Sequence, residues 1–358
     1  MSGTDSDVIV QLVWYSSAVL LLMTLLLLVL TLFMHYERRQ RDKSRQQATE
    51  QWTPILFSWI YSPDENAGPL PELNAEGFGF VVQLWLQLEQ TVRGSASNRL
   101  AELAQRLNLI PVMKQWLHGY STDKKLTAIM ALGIVQEKSA FSDLIPHVLD
   151  KRTIFSLVAA RALLAIDPKL GLPVILSQIH RDDWSVSRLA GLLVRLPHDL
   201  MVRSITDCAE KATAKELRRL IKLMHILSPI DSQPLIQQAL MQYPDEMELL
   251  TTAFASAVSP DLLPLLRQQV NNPQWEVRVQ LAKALARLGD SSDAPLLLKM
   301  LSDSNWWVRY RAAQSLMALP GIEADQLQLW QQQLTDPFAI AILSQVQEEQ
   351  QRQQQGRT

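Results

Sequence analysis

Cysteine is nearly missing from this chain of 358 residues, which contains one, Cys208. A disulfide bond needs two cysteines, so none can form within the chain, and a reducing compartment is the simplest setting. Glycine is also scarce, at 12 residues, while leucine, alanine and glutamine are abundant. This mixture favours helices over an architecture of strands and turns.

A charge imbalance is missing as well, because 34 Lys and Arg residues stand against 36 Asp and Glu residues, a formal net charge of -2. A protein that coats nucleic acid carries an excess of positive charge, so we expect no nucleic-acid partner. Hydrophobic residues make up 47% of the chain and charged residues 20%, which excludes disorder of the whole chain.

The sequence also lacks the motifs of common catalytic and ligand sites. It has no phosphate-binding glycine loop, dinucleotide fingerprint or nucleophile elbow. Its 6 histidines are scattered, and none has the spacing of a metal site. The polar cluster from His180 to Asp183 falls in a predicted connection between helices, where an Asp caps the next helix. We therefore predict no catalytic, cofactor or metal site, no small-molecule substrate and no enzyme activity.

The longest uncharged stretch lies near the N-terminus, from Val8 to Met34. About 20 apolar residues suffice for a helix to cross the hydrocarbon core of a membrane. A cleaved signal peptide would need a basic region ahead of the apolar stretch, but Asp5 and Asp7 stand there. We predict a retained transmembrane helix over residues 8–35, after a short extracytoplasmic segment at residues 1–7.

Basic residues follow the apolar stretch, and none precedes it. They lie in a predicted juxtamembrane segment, residues 36–51, and are Arg38, Arg39, Arg41, Lys43 and Arg45. The positive-inside rule places this side of the membrane in the cytoplasm. We expect a single-pass protein of a bacterial inner (plasma) membrane, with its N-terminus outside, its C-terminal part in the cytoplasm and the lipid bilayer around its N-terminal helix.

An amphipathic helix is predicted next, because five apolar residues share one helical face: Trp52, Ile55, Leu56, Trp59 and Ile60. This face either lies in the membrane interface or docks on the first repeat and caps it. Pro and Gly residues become frequent up to Gly79 and indicate a loop. Residues 52–79 are therefore predicted to form an amphipathic helix and a linker.

Two stretches near the C-terminus agree position by position at an offset of about 31 residues, a period typical of stacked helical repeats. The first, from residue 272, reads NPQWEVRVQLAKALARLGDSSDAPLLLKML, and the second continues as SDSNWWVRYRAAQSLMAL. Val277 corresponds to Val308, and Arg278 corresponds to Arg309. Short amphipathic segments continue the alternation back to about residue 80.

The shared pattern combines W-x-V-R-x-x-x-A-x-x-L, L-G-D, A-P-L-L-x-x-L and D-x-N-x-x-V-R. It resembles HEAT repeats, in particular the short variety of phycobilisome-lyase-like proteins. The residues of this sequence that match the pattern are Trp275, Val277, Arg278, Ala282, Leu285, Leu288, Gly289, Asp290, Ala294, Pro295, Leu297, Leu298, Leu301, Asp303, Asn305, Val308 and Arg309.

The resemblance implies an all-α fold and, usually, a scaffold or adaptor role. It implies a right-handed α-solenoid of antiparallel helix pairs over residues 80–337. The apolar stretch places the one transmembrane helix before this solenoid. Residues 338–358 are then predicted to form a closing helix and a Gln-rich, disordered tail.

Recurrent Trp and Arg residues remain as candidates for a site. Arg at this repeat position suits a structural ladder between adjacent repeats or, alternatively, a basic stripe on the concave face that holds an acidic partner or a phosphate. Trp306 and Trp307 cannot share one helical face, so one of them is expected at the surface, where Trp is favoured in binding hot spots. The candidate partner-binding residues are Trp275, Arg278, Trp306, Trp307, Arg309 and Arg311.

These features predict a membrane-anchored HEAT-repeat scaffold that binds a membrane-associated protein at the cytoplasmic face. A membrane glycosyltransferase or a signalling complex is the kind of partner that we expect. Tethering to the membrane would make a weak interface sufficient. The alternative, suggested by the repeat type, is a bilin-lyase-like enzyme that handles a chromophore.

Overall fold

The computed structural model describes residues 4–61, 75–89, 91 and 95–355 of the chain. All regular secondary structure in these residues is helical, which confirms the predicted all-α, α-solenoid class. The helices group into two compact units, Met1–Asp143 and Leu144–Thr358.

The first unit contains α1 (Thr4–Tyr61), α2 (Ala75–Glu89), α3 (Ser95–Arg106), α4 (Leu109–His118) and α5 (Thr122–Ile134). Helix α6 (Phe141–Val148) contains the boundary between the units. The second unit contains α7 (Thr153–Ile166), α8 (Pro168–Leu176), α9 (Val186–Leu193), α10 (His198–Ala209), α11 (Ala214–Leu227), α12 (Gln233–Gln242), α13 (Met247–Ser256), α14 (Leu263–Arg267), α15 (Trp275–Leu288), α16 (Ala294–Met300), α17 (Trp306–Ala318), α18 (Ala324–Gln333) and α19 (Pro337–Gln355).

Helix α1 is one uninterrupted helix of 58 residues. The segments predicted to meet at residues 36 and 52 therefore join without a break, because Gln, Arg, Lys and Glu are good helix formers and no Gly or Pro occurs before Pro54. Within α1, the window Val19–Tyr36 has a mean hydropathy of 2.4 and no buried residue. Its length and composition are those of a membrane-spanning helix, and they are also those of a secretory signal sequence.

The end of α1 packs against α2 and α3. Trp52, Leu56 and Trp59 are buried there, and Trp59 Nε1 donates a hydrogen bond to the carbonyl oxygen of Arg99 at 3.0 Å. Of the two alternatives for this apolar face, the structure thus shows the one in which it docks on the following helices. The side chain of Ile60 and residues 62–74 of the predicted linker lie outside the described part of the chain.

In the second unit, one set of helices forms a continuous layer, because each packs against the next: α9, α11, α13, α15 and α17. We call these five helices the motif layer, since α15 and α17 begin with the W-x-V-R pattern. Shorter helices alternate with them along the chain, and α12, α14 and α16 each carry a Pro in the first turn, where the missing N–H costs no helical hydrogen bond. Residues at equivalent repeat positions are fully buried in the layer, as at Val277 and Val308.

Helix α19 closes the second unit by packing on α17 and burying four apolar residues, Ala339, Ile342, Leu343 and Val346. The Gln-rich tail was predicted to be disordered, but the helix continues to Gln355. Gln, Glu and Arg have high helix propensity, and the first Gly after Pro337 is Gly356, so an existing helix can extend through this polar sequence. Residues 356–358 lie outside the described part.

Candidate functional site

Three of the sequence-predicted residues are tryptophans at the starts of neighbouring helices of the motif layer. Trp275 begins α15, and Trp306 and Trp307 begin α17. Their exposed fractions are 37%, 41% and 50%, so both members of the adjacent pair face solvent. Trp184 of an earlier repeat is completely buried instead, and its Nε1 donates to Ser156 Oγ at 2.9 Å. Trp at this point of the repeat is thus part of the core near α9 and part of the surface near α17.

The exposed pair is held in a defined arrangement with Tyr310, and we call these three residues the aromatic cluster. Trp306 and Trp307 meet edge to face, with ring centroids 4.8 Å apart and an interplanar angle of 81°. Trp306 stacks on Tyr310, one helical turn further on, at 5.0 Å and 11°. Asn305 caps the helix by accepting a hydrogen bond from the backbone N–H of Trp307 at 2.9 Å. These contacts restrict the rings although they remain exposed.

Tyr310 was not among the predicted site residues. Its hydroxyl donates to Glu349 Oε2 of α19 at 2.7 Å. The hydrogen bond to the Glu349 carboxylate raises the pKa of Tyr310, and the same bond lowers the pKa of Glu349. The spacing of four residues between Trp306 and Tyr310 could have predicted that their rings meet on one helical face. Nothing in the sequence indicated that Glu349 of α19 would be the partner of Tyr310.

Arg278 forms a ladder contact between successive repeats. Its Nε and Nη2 donate to the two carboxylate oxygens of Asp303 at 2.6 and 2.7 Å, and its Nη1 donates to the carbonyl oxygen of Asn272 at 2.7 Å. The Arg278 and Asp303 side chains are only 12% and 11% exposed. Burial acts to raise the pKa of Asp303, but hydrogen bonds from Arg278 and the backbone of Asn305 outweigh it and lower that pKa. Arg278 is thus engaged within the protein.

Arg309 makes the same contacts with its loop as Arg278 does, but not the ion pair. Its Nη1 donates to the carbonyl oxygens of Asp303 and Ser304 at 2.8 and 3.2 Å, as Arg278 does one repeat earlier. No carboxylate pairs with Arg309 among the described residues, and its buried Nε has no hydrogen-bond partner there. The guanidinium lies 5.4 Å from the ring centroid of Phe338, an exposed residue of α19. The Arg–Asp ladder ends at this repeat.

Arg311 lies beside the aromatic cluster on α17. Its Nη1 donates to Gln314 Oε1 at 2.7 Å, and its guanidinium lies 5.9 Å from the ring centroid of Tyr310. Lys283, on the neighbouring helix α15, is partly buried. Burial lowers the pKa of Lys283, and the positive charges of Arg311 and Arg287 lower it further. A positively charged patch therefore adjoins the aromatic cluster.

Other ladder contacts were missed because they lie outside the W-x-V-R pattern. Arg267 makes a two-pronged ion pair with buried Asp293, with N–O distances of 2.7 and 2.9 Å. Arg181 Nη1 donates to the carbonyl oxygens of Val148 and Asp150 at 3.3 and 2.8 Å. Arg267 and Arg278 share one signal, an Asp that follows about one repeat later, but this spacing is too common in sequence to identify a contact. Arg181 instead contacts backbone carbonyls of the preceding repeat.

A groove of about 540 Å³ lies between α8, α10 and the start of α11. Its polar lining includes Ser177, Asp207, Cys208, Lys211 and Glu216. Burial raises the pKa of the Cys208 thiol, and the nearby Glu216 charge adds to this shift. A raised pKa keeps the thiol protonated at neutral pH, which disfavours a nucleophilic role. Within the described ranges, no group of three or more His, Cys, Asp or Glu side chains is placed to hold a metal ion.

The comparisons with known proteins agree with this architecture. Residues 231–340 match the family of HEAT repeats. The all-α fold and this match define an α-solenoid in which residues 231–340 have the sequence pattern of HEAT repeats. A matching solved structure is the complex of CpcE and CpcF of phycocyanin lyase from Nostoc sp. PCC7120, with 14% sequence identity, a TM-score of 0.25, and coverage of 78% of this chain and 97% of that chain. Compared by sequence with curated proteins, the chain has no significant match.

One prediction is corrected by these comparisons. We predicted from the absence of catalytic motifs that this chain is not an enzyme, and that prediction is wrong as argued, because the matching structure belongs to a phycocyanin lyase. A fold hosts many functions, and chemistry can reside in side chains that form no short sequence motif. The repeat type therefore gives no ground for excluding an enzyme.

Proposed function

We propose that this chain is a membrane-anchored interaction protein whose HEAT repeats bind a protein partner through the aromatic cluster and Arg311. The observation that carries the proposal is the pair Trp306 and Trp307, adjacent and exposed on an ordered helix. Trp, Tyr and Arg dominate binding hot spots because they bury large areas at a low entropic cost. Rings that are already restricted by mutual packing lose still less freedom on binding.

The uncovered apolar surface of α1 supports the membrane anchor. The window Val19–Tyr36 has no buried residue, and an apolar surface of this length needs lipid or protein around it. Arg39 and Lys43 follow this window, which favours an external N-terminus and cytoplasmic repeats at a bacterial inner membrane. About 24 Å of helix separate Tyr36 from Trp52, so the anchor would connect through a stiff rod.

The proposed partner is itself associated with the membrane, and a membrane glycosyltransferase or a signalling complex is the kind of protein that we expect. Two proteins confined to one membrane meet at a high effective concentration, so a modest surface is sufficient. The aromatic cluster matches that requirement, since it is a small hot spot rather than an extended apolar face.

Crosslinking and mass spectrometry of the full-length protein in native membranes test this proposal. We expect a membrane protein to be captured by the wild type and lost from the W306A/W307A variant. Tyr120→Ala is the matched control, because Tyr120 is fully exposed and lies in the other unit. Capture of the same protein by W306A/W307A at the wild-type level would contradict the assignment of the surface, and purification without any partner would contradict the scaffold role.

A second candidate is the handling of a bilin chromophore, which the resemblance to phycobilisome-lyase-like repeats suggests. The groove beside Cys208 is large enough for part of such a ligand and offers Ser177 and Lys211 as polar contacts. Absorbance spectra of the purified protein mixed with bilin test this candidate. A red-shifted band that Lys211→Ala weakens would support it, and an unchanged bilin spectrum would contradict it.

A further inference from the structure

The motif layer carries an excess of positive charge that the whole chain does not have. Its five helices contain ten Lys and Arg residues and three Glu residues, although the formal net charge of the chain is -2. The basic residues are Arg188, Lys215, Arg218, Arg219, Lys222, Arg278, Lys283, Arg287, Arg309 and Arg311. A surface with this charge attracts anionic groups.

Several of these basic side chains already have partners within the protein. Ion pairs engage Lys215 with Asp182, Arg218 with Glu248 and Arg278 with Asp303. Backbone carbonyl oxygens engage others, as Arg287 does with Phe254 at 2.8 Å. Such contacts explain basic residues as parts of the scaffold and leave them little capacity for a partner.

Lys283 and Arg311, like Arg309, have no carboxylate partner among the residues that the structure describes. They differ from Arg309 because neither donates a hydrogen bond to a backbone carbonyl there. They lie on the packed helices α15 and α17. Burial lowers the pKa of Lys283, and the positive charge of Arg311 lowers it further. Two neighbouring cations without a counter-charge repel each other, and an anion bound between them would relieve that repulsion. Trp307, half exposed, belongs to the same helix as Arg311.

We propose that Lys283 and Arg311 bind carboxylates of an acidic polypeptide segment in the partner, while an apolar side chain of that segment packs on Trp307. This inference rests on the proposed function and adds the chemistry of the partner. The charge pattern favours a polypeptide over a nucleic acid. Glu276 lies on α15 and Glu349 contacts Tyr310, so a continuous row of phosphates would meet negative charges that spaced carboxylates avoid.

The test uses the full-length protein in detergent micelles and two fluorescein-labelled peptides. One peptide repeats Glu-Glu-Leu, and the other has Gln in place of every Glu. Fluorescence anisotropy should show that the Glu peptide binds about 10-fold more tightly than the Gln peptide and that K283Q/R311Q removes this difference. The matched control K169Q/R203Q changes two exposed cations on α8 and α10, outside the motif layer, and should bind as the wild type does.

The charge-preserving variant K283R/R311K keeps the proposal falsifiable if neutralisation alters the fold, and it should retain most of the binding. Equal affinity for the Glu and Gln peptides, or an unchanged affinity in K283Q/R311Q, would overturn the inference. So would a loss of duplex DNA or anionic vesicle binding in K283Q/R311Q with no effect on the Glu peptide. Partner capture that depends on Trp306 and Trp307 but survives K283Q/R311Q would contradict this inference alone and leave the proposed function standing.

Discussion

Arg278 and Asp303 form a two-pronged ion pair that joins the start of α15 to the loop before α17, with N–O distances of 2.6 and 2.7 Å. Both side chains are largely shielded from solvent, so neither can regain full hydration if its partner is removed. The same guanidinium also holds the loop at Asn272 through the backbone. One side chain therefore connects two successive repeats and closes its own loop.

Replacing Arg278 by Ala should destabilise the second unit by about 3 kcal/mol, because the Asp303 carboxylate is left shielded and unpaired. Arg309→Ala is the matched control, since Arg309 makes the same loop contacts and no carboxylate in the described part of the chain pairs with it. We expect a loss of only about 1 kcal/mol. Urea denaturation followed by circular dichroism measures both. Equal losses for the two variants would show that the ion pair adds nothing beyond loop closure.

The second unit should become less stable at low pH, because Asp183 is then protonated. Hydrogen bonds from Arg181 and Thr153 hold the pKa of Asp183 at about 2, below its ordinary value of 3.8. A carboxyl group whose pKa is depressed by folding contributes stability above its unfolded pKa, and this contribution is lost as the pH falls through the folded value.

Asp183→Asn should therefore lower the thermal midpoint at pH 7, and the difference from the wild type should shrink between about pH 4 and pH 2. Asp199→Asn is a suitable control, because the Asp199 side chain is almost fully exposed. A difference for Asp183→Asn that is independent of pH would assign its effect to lost shape or packing rather than to the charge.

The packing of the end of α1 against α2 and α3 should depend on Trp59. Trp59 is buried, donates a hydrogen bond to Arg99 and lies 4.8 Å from the guanidinium of Arg106. Trp59→Ala should cost about 3–5 kcal/mol, as large-to-small changes in a core do, and should expose the end of α1.

Limited proteolysis of the full-length protein measures this exposure. We expect rapid cleavage near residue 60 in Trp59→Ala and slow cleavage in the wild type. Phe57→Ala is the comparison variant, because Phe57 lies on the same stretch of α1 but is exposed. Wild-type cleavage rates in Trp59→Ala would indicate that α1 is held by other contacts.

The fold could be predicted because its signal repeats along the chain. Equivalent residues such as Val277 and Val308 face the same core, and the period of about 31 residues can be recognised from the sequence alone. The continuity of α1 was not predicted, because the change from apolar to basic to amphipathic sequence resembles a series of separate elements. Helix propensity, which those three compositions share, decides the outcome.

The candidate surface was predictable only in part. The doubled Trp306 and Trp307 indicated exposure on steric grounds alone, since adjacent helical residues point in different directions. Sequence could not show that Asp303 pairs with Arg278 while no carboxylate of the described residues pairs with Arg311, because that difference depends on which acidic residue the next loop brings close. The placement of Lys283 and Arg311 on two packed helices was missed because it depends on how α15 and α17 meet.

The proposed membrane anchor leads to the last prediction. Val19–Tyr36 is uncovered in the structure, and an Arg placed at its centre would lie in the hydrocarbon core at a cost of about 3 kcal/mol. Leu27→Arg should therefore shift part of the protein from the membrane pellet to the carbonate-soluble fraction. Leu170→Arg, on the exposed surface of α8, should leave the distribution unchanged. Intact mass spectrometry distinguishes an anchor from a signal sequence. A retained anchor preserves the full chain mass, whereas a mature protein that lacks the first residues would show that the segment is a cleaved signal sequence.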